Sequence, residues 1–215
     1  MKKIEKKNLK HLNVLRSLHI EKKMGKIEEL EEVEFQAEFC TKCNLYEKRN
    51  KLVFGEGDID CCLMMISESP GRVEDDTGRP LIGKAGTLLR NYWLKYLKIK
   101  DKDVYLCNIL KCRPPNNRDP EPEEVKACIP YLHKQIDIIK PEVIVILGAV
   151  ALKSLFNNKY LSITKERGKW RYYREIPVMA TFHPAYLLYR MTEENKQKVK
   201  NDLNLISKKI KKIAK

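Results

Sequence analysis

The sequence contains no long hydrophobic run, and none of its apolar segments approaches the ~18 residues that a membrane-spanning helix requires. The first residues are charged and lack the apolar segment of a secretory signal peptide. Acidic residues are the scarcer charged class, with 29 Asp and Glu against 43 Lys and Arg. We therefore expect a soluble cytoplasmic protein without a membrane partner, and the net charge of +14 favours a polyanionic partner.

The positive charge is concentrated at the two ends of the chain. Residues 1–26 contain nine Lys or Arg and two Glu, and residues 193–215 contain eight Lys and three acidic residues. Such ends serve either solubility or nucleic-acid binding, and charge alone does not separate the two. The length of 215 residues predicts one domain at 27–192, a basic helical extension at 1–26 and a basic amphipathic helix at 193–215.

Both terminal segments repeat apolar residues at helical spacing. In the N-terminal segment, one face carries Leu9, Leu12, Leu15 and Leu18. A second short helix is predicted over residues 27–38. In the C-terminal segment, steps of four and three residues join Val199, Leu203, Ile206, Ile210 and Ile213. This last stripe predicts a helix packed on the core, with its lysines on the solvated faces.

The chain also lacks an even number of cysteines, and its seven cysteines in an intracellular context argue against a disulfide framework. Cys40 and Cys43 have a spacing that suits either one metal ion or a redox dithiol. The pair precedes any strand pattern, which disfavours a thioredoxin-type role. Together with Cys112 and Cys128 it makes four thiolates, the number for zinc or an iron–sulfur cluster, and the wide second spacing tilts mildly toward a cluster.

Four short apolar runs predict buried strands at residues 61–66, 104–110, 143–147 and 176–182. Helical patterns lie between them at residues 86–97, 123–139 and 150–156. Strands that alternate with helices form a parallel sheet with helices on both faces. Near-continuous apolar strands fit that burial.

Three of the four predicted strands end in polar side chains. The ends carry Ser67 with Glu68, Asn108, and His183, whereas the strand at 143–147 ends in Gly148. The carboxyl ends of parallel strands meet at one crevice. A carboxylate, an amide and an imidazole in one crevice indicate a hydrolytic or base-reading site.

One apparent phosphate-binding loop is rejected. Gly78 to Lys84 matches the Gly-x4-Gly-Lys part of that motif, but Ala85 stands where a hydroxyl must hold magnesium. The segment also begins eleven residues beyond the strand end at Ser67 instead of forming the strand-to-helix turn. Its glycines still allow close approach of the backbone to a ligand, and the following helix N-terminus suits a phosphate.

Taken together, these motifs closely resemble the family 4, iron–sulfur class of the uracil-DNA glycosylase superfamily. The resemblance covers about residues 27–189. It is carried by Cys40-x2-Cys43, Phe54-Gly55-Glu56-Gly57, Glu68-x-Pro70-Gly71, Glu74-Asp75, Gly78-Arg79-Pro80, Gly83-x-Ala85-Gly86, Asn108-x2-Lys111-Cys112-Arg113-Pro114-Pro115, Asn117-Arg118, Cys128 and His183-Pro184-Ala185-Tyr186-Leu187-Leu188.

The resemblance implies a three-layer α/β/α sandwich with a central four-stranded parallel sheet. It implies a structural 4Fe–4S cluster on Cys40, Cys43, Cys112 and Cys128. The implied activity is hydrolysis of the bond between uracil and deoxyribose in DNA, which leaves an abasic site for base excision repair. The implied protein is a monomer that acts on uracil-containing DNA at the nucleoid.

Site roles follow from the same resemblance. Glu68, or else Glu74, is expected to position the attacking water, and His183 to stabilise the negative charge on the departing uracil. The base pocket is expected to contain Asn108, Leu81, Ser69 and Gly71. Contacts with DNA are expected from Lys84, Tyr186, Leu187, Leu188 and Arg190, with the 186–188 segment probing the minor groove.

Two positions depart from the family pattern. Leu81 stands where the family has an aromatic residue that stacks on uracil, a contact worth ~1–3 kcal/mol. Ser67 stands where the family usually has glycine, which narrows the conformational freedom of the turn. Leu81 therefore predicts weaker uracil capture or altered base selectivity. It also keeps open an alternative, a non-hydrolytic module that binds uracil-DNA or a damaged base; a zinc-stabilised DNA-binding domain is a third reading.

Overall fold

The structure is a computed structural model that describes residues 2–213, with side chains described for residues 17, 18 and 20–213. The N-terminal part is one continuous helix, α1 (Lys2–Glu38), and the prediction of two helices is wrong here. Gly25 lies inside α1 and costs only ~1 kcal/mol relative to alanine, which the surrounding Glu, Lys and Leu residues offset. The side chains of Leu9, Leu12 and Leu15 lie outside the described residues, and Leu18 is exposed.

The centre of the fold is a six-stranded sheet. Its strands are β1 (Glu56–Gly57), β2 (Leu63–Ser67), β3 (Val104–Asn108), β4 (Val143–Leu147), β5 (Trp170–Tyr173) and β6 (Ile176–Thr181), in the order β1-β3-β2-β4-β6-β5. β3, β2, β4 and β6 pair in parallel, as predicted. The short edge strands β1 and β5 pair antiparallel and were not predicted, because β1 has two residues and β5 has no buried position.

Helices cover both faces of this sheet. The remaining helices are α2 (Arg72–Thr77), α3 (Lys84–Leu88), α4 (Lys95–Leu97), α5 (Pro122–Ile139), α6 (Ala149–Leu155), α7 (Ile163–Glu166), α8 (Pro184–Tyr189) and α9 (Glu193–Ile213). A π-helical segment, Leu89–Leu94, joins α3 to α4. Among the described residues, no helix is long and apolar enough to cross a membrane.

Two apolar cores account for the three-layer architecture. Every residue of β2, β3 and β4 is buried, so their alternating side chains need cover on both sides. One core joins the sheet to α1, α5 and α6, and the other joins it to α3, α4, α8 and α9. The predicted α/β sandwich is confirmed, and the predicted C-terminal stripe packs in the second core.

The C-terminal helix is also tied to the sheet by a buried ion pair. Asp202 on α9 is 1 % exposed and accepts two hydrogen bonds from Arg167, at 3.0 and 2.6 Å, and one from Thr181 at 2.7 Å. Thr181 is the last residue of β6, two residues before His183. The network therefore holds the strand end from which His183 projects.

Candidate active site

A cavity of about 390 Å³ opens at the carboxyl ends of the parallel strands. Its lining contains all the polar strand-end residues singled out in the sequence, namely Ser67, Glu68, Asn108 and His183. β4 contributes no side chain to this lining, since its last residue, Leu147, is followed by Gly148. A Cβ at Gly148 would lie 3.2 Å from the Cβ of His183, and the φ of +96° there also favours glycine. The glycine therefore lets the imidazole pass closely over the end of β4.

His183 is held as a neutral imidazole with a defined tautomer. The backbone N–H of Ala185 donates to its Nδ1 at 3.1 Å, so Nδ1 carries a lone pair. The Nε2 atom lies 2.8 Å from the Oγ of Ser67. Desolvation in the packed surroundings lowers the pKa of His183 to about 4, despite the opposing effect of Glu74. At neutral pH, Nε2 therefore carries the only ring proton and donates it to Ser67.

Asn108 presents an unsatisfied donor to the cavity. Its side chain is 1 % exposed, and within the described residues its Nδ2 is a buried side-chain atom without a hydrogen-bond partner. An unpaired buried donor costs ~1–3 kcal/mol, which a carbonyl oxygen in the cavity would offset. The backbone oxygen of Asn108 accepts a hydrogen bond of 2.8 Å from the buried Nζ of Lys111, which stabilises the strand end.

Glu68 is a half-buried carboxyl group with altered acidity. Burial, with a smaller effect from the negative charge of Asp119, raises the pKa of Glu68 to about 7. Its backbone oxygen accepts a hydrogen bond of 3.0 Å from Leu110, which extends the β2–β3 pairing and holds this residue at the cavity. A carboxylate whose pKa lies near neutrality is suited to general base chemistry.

Glu74 lines the same cavity but makes contacts of a different kind. Its Oε1 accepts hydrogen bonds from the backbone N–H groups of Ile82 at 3.0 Å and Gly83 at 2.8 Å. The carboxylate thus ties α2 to the loop that precedes α3. Oε1 of Glu74 therefore holds that loop, whereas among the described residues no hydrogen bond reaches the side-chain carboxyl group of Glu68.

Leu81 lies at the centre of that loop in an uncommon backbone conformation. Its φ is 52°, in the left-handed region, and its side chain is 5 % exposed while lining the cavity. Arg90 donates to the backbone oxygens of Leu81 at 2.9 Å and Pro80 at 3.0 Å. A Cβ at Gly86 would lie 1.8 Å from the oxygen of Leu81, so this close approach requires glycine. Hydrogen bonds from Arg90, hydrogen bonds to Glu74 and close packing against Gly86 therefore hold this loop.

The segment after His183 presents two kinds of side chain. Leu187 is 6 % exposed and packs in the second core, whereas Leu188, Tyr189 and Arg190 are exposed. The ring of Tyr186 packs against Phe182 with centroids 4.6 Å apart. Tyr189 also lines the cavity, and it was not predicted because the last motif of the resemblance ends at Leu188. Lys84, which also lines the cavity, is exposed at the start of α3.

The four cysteines named in the sequence gather in the first core. Cys112 and Cys128 are buried, and Cys40 and Cys43 are half-buried. Nη1 of Arg49 donates to the sulfur of Cys112 at 3.3 Å, and the backbone N–H of Lys111 donates to that of Cys128 at 3.2 Å. Cys40 and Cys43 lie close enough to Cys112 for their negative charge to raise the pKa of its thiol.

The acidity of these thiols bears on what they could hold. Burial raises the pKa of Cys43 and Cys112 and raises that of Cys128 to about 12. As free thiols, Cys43, Cys112 and Cys128 stay protonated at neutral pH. N–H donors aimed at sulfur suit thiolates bound to a metal centre. Thiolate sulfur is the donor type that such a centre takes, so these four residues suit it by their chemistry and not by their spacing in the structure. Among the described residues, no three His, Cys, Asp or Glu side chains converge closely enough to hold a metal ion.

Comparison with known proteins identifies the family. Residues 54–205 match the family model of the uracil DNA glycosylase superfamily. The type-4 uracil-DNA glycosylase of Thermotoga maritima is 46% identical over 176 residues, which cover 80% of this chain and 90% of that protein. The chain belongs to the type-4 class of this superfamily. The type-4 uracil-DNA glycosylase of Sulfurisphaera tokodaii is 42% identical over 186 residues, 81% of this chain and 84% of that protein. That of Saccharolobus solfataricus is 44% identical over 177 residues, 77% and 82% respectively.

We expect that Glu74→Ala releases the loop around Leu81 in this type-4 family member. Hydrogen bonds to a charged acceptor contribute ~1.5–3 kcal/mol, so the amide protons of Ile82 and Gly83 should exchange at least about tenfold faster. Amide hydrogen exchange measures this directly. Asp76→Ala, on the same helix but without contact to these amides, is the control. Unchanged exchange in Glu74→Ala would contradict the assigned role.

Proposed function

We infer that this protein is a DNA repair glycosylase that hydrolyses the N-glycosidic bond of uracil in DNA and leaves an abasic site. The names of the type-4 relatives support this activity. The structural observation that carries this proposal is the Nδ2 of Asn108, which has no hydrogen-bond partner among the described residues. Asn108 lines a cavity together with the carboxyl group of Glu68 and the neutral imidazole of His183.

Recognition of uracil follows from hydrogen-bond complementarity. The target base has to leave the duplex stack before its C1′ is accessible, so the cavity receives a flipped nucleotide. Nδ2 of Asn108 then donates to the O4 carbonyl of uracil, and Oδ1 accepts from N3–H. Cytosine presents a 4-amino group at the position of O4, so two hydrogen-bond donors, this amino group and Nδ2 of Asn108, would face each other. A site built for a hydrogen bond rejects such a mismatch strongly.

Bond cleavage separates charge within the cavity. As the C1′–N1 bond breaks, negative charge develops on the uracil and positive charge on the deoxyribose. Ionised Glu68 orients a water molecule, accepts its proton as the oxygen bonds to C1′, and stabilises the cationic sugar. On the carbonyl side of the base, a donor from the hydrogen-bonded His183–Ser67 pair stabilises the developing negative charge. One fixed donor of this kind is worth ~10²–10³ in kcat.

DNA contacts are assigned to the exposed side chains around the cavity mouth. Lys84, at the start of α3, and Arg190 are both exposed, which supports a role in neutralising phosphates. Leu188 and Tyr189 are exposed on α8, and their apolar surfaces suit the space that a flipped base vacates. The burial of Leu187 supports a role in anchoring α8 instead of entering DNA.

The four cysteines are assigned to a structural 4Fe–4S cluster. Such a cluster takes four thiolate ligands. Bound here, the cluster would connect three parts of the fold: the segment after α1, the loop after β3, and helix α5. When bound, the cluster supplies covalent cross-links among these elements. Among this chain's own residues, Lys111 donates its backbone N–H to Cys128 and its Nζ to the backbone of Asn108, so the cysteine site and the base-reading residue share one neighbour.

The activity is tested with two oligonucleotides that differ only in one uracil or thymine, followed by alkaline cleavage at abasic sites. We expect strand cleavage that depends on the protein and on uracil, and Asn108→Ala should reduce it. Tight binding to uracil-DNA without cleavage would favour the non-hydrolytic module. If the protein neither binds nor cleaves uracil-containing DNA, the proposal is overturned.

Excision should depend on pH through Glu68. Its carboxylate is the active form, so kcat/KM should fall as the pH drops below about 7, the value to which the pKa is raised. Asp119→Asn removes a negative charge that raises this pKa, and the acid limb should move to lower pH. Glu68→Gln should excise uracil slowly, and its kcat/KM should show no decrease with falling pH near pH 7. Glu123→Gln, an exposed acid on α5, is the control, and an unmoved limb in Asp119→Asn would count against the assignment.

Iron binding should depend on four of the seven cysteines. Cys112→Ser and Cys128→Ser should lose iron, sulfide and the broad absorbance near ~400 nm that thiolate-bound iron produces. Cys62→Ser, a half-buried cysteine outside the set, should retain all three. Metal and sulfide analysis of purified protein measures this. Zinc without sulfide in the unsubstituted protein would refute the cluster.

A further inference from the structure

Ser67 occupies a position in the cavity that none of the assigned roles uses. It is the last residue of β2, and it pairs directly with Asn108 in the parallel register of β2 and β3. Residues opposite one another in a parallel pair project to the same side of the sheet. Both side chains are 1 % exposed and both line the cavity. A base held by Asn108 is therefore within reach of the hydroxyl group of Ser67.

The hydrogen-bond direction between His183 and Ser67 is determined by the other ring nitrogen. Nδ1 of His183 accepts from the backbone of Ala185, so it cannot carry the proton of a neutral ring. The proton is on Nε2, and it points at the Oγ of Ser67, 2.8 Å away. The histidine donor is thus already engaged by a hydroxyl before any base enters.

A hydroxyl that accepts from histidine still has its own proton to donate. Among residues 17, 18 and 20–213, the hydrogen bond with His183 is the contact that the Oγ of Ser67 makes, and no described group accepts from its O–H. This O–H can therefore point into the cavity that Ser67 lines. Two donors therefore face the cavity from neighbouring strands, the Nδ2 of Asn108 and the O–H of Ser67.

We propose that Ser67 is the group that donates to the O2 carbonyl of the flipped base, and that His183 acts through it as a positioning residue. The relay runs from His183 Nε2–H to Ser67 Oγ–H and on to the carbonyl oxygen. This inference rests on the proposed glycosylase function. It gives a role to the serine that replaces the glycine of the family pattern, where no side chain would stand between the imidazole and the base.

The relay involves no transfer of a proton to the base. Water oxygen bonds to C1′, its proton passes to Glu68, and the electron pair of the C1′–N1 bond leaves with the uracil anion. Ser67 keeps its proton throughout and strengthens its hydrogen bond as charge develops on O2. Chains of hydrogen bonds polarise one another, so the imidazole donor makes the hydroxyl a better donor. Both groups remain neutral.

The test is single-turnover excision by Ser67→Ala, His183→Ala and the double variant, with binding to uracil-DNA measured separately. Ser67→Ala should lower the excision rate by about 10²-fold, the usual loss for one donor to a developing oxyanion, with little change in DNA affinity. Because His183 acts only through Ser67, the double variant should be no slower than Ser67→Ala alone. Ser154→Ala, a serine on α6 outside the cavity lining, should excise at the unsubstituted rate.

Three outcomes would overturn the relay. If Ser67 only sequesters the histidine donor, Ser67→Gly frees Nε2–H and raises the excision rate. If the losses of the two single variants multiply in the double variant, the residues act independently. ¹⁵N spectra of the four histidines should also show His183 as the neutral Nε2–H tautomer in Ser67→Ala and in the unsubstituted protein, and an Nδ1–H tautomer would refute the proton assignment. Absence of excision by the unsubstituted protein would instead refute the proposed function itself.

Discussion

The parallel pairing of β2 with β3 is the constraint on which the site depends. Their register places Ser67 opposite Asn108, and backbone hydrogen bonds from Ile109 to Ser67 and from Leu110 to Glu68 continue the pairing beyond the strands. A register shift of one residue would turn these side chains to the other face of the sheet. Both strands are completely buried, so such a shift would also exchange their apolar side chains between the two cores.

Burial also sets the acid–base properties of the cavity. Desolvation favours the neutral form of every titratable group, which raises the pKa of the Glu68 carboxyl group and lowers that of the His183 imidazole. One environment therefore yields a neutral hydrogen-bond donor and a carboxylate that ionises near neutral pH. No added charge is needed to separate the two roles, because an acid and a base respond to desolvation in opposite directions.

The loop around Leu81 shows how the fold supports an uncommon backbone conformation at the cavity. A left-handed leucine costs roughly 1–2 kcal/mol. Arg90 binds its oxygen, Glu74 binds the two following amides, and Gly86 allows the backbone of α3 to approach it. Arg90 in turn pairs with Glu56 of β1 at 2.5 Å. The edge strand, which carries no residue of the cavity, thereby helps to hold one of its walls.

The sequence by itself determined the four parallel strands, the helices between them and the polar strand ends, because complete burial leaves continuous apolar runs that stop where solvent begins. It did not determine β1 or β5, whose short exposed segments have no such pattern, nor the union of two predicted helices in α1. Tertiary structure alone decided that Glu74 binds backbone amides, that Leu187 lies in the core, and that the proton of His183 points at Ser67. Those features depend on distances between segments far apart in the chain, and spacing along a sequence does not encode such distances.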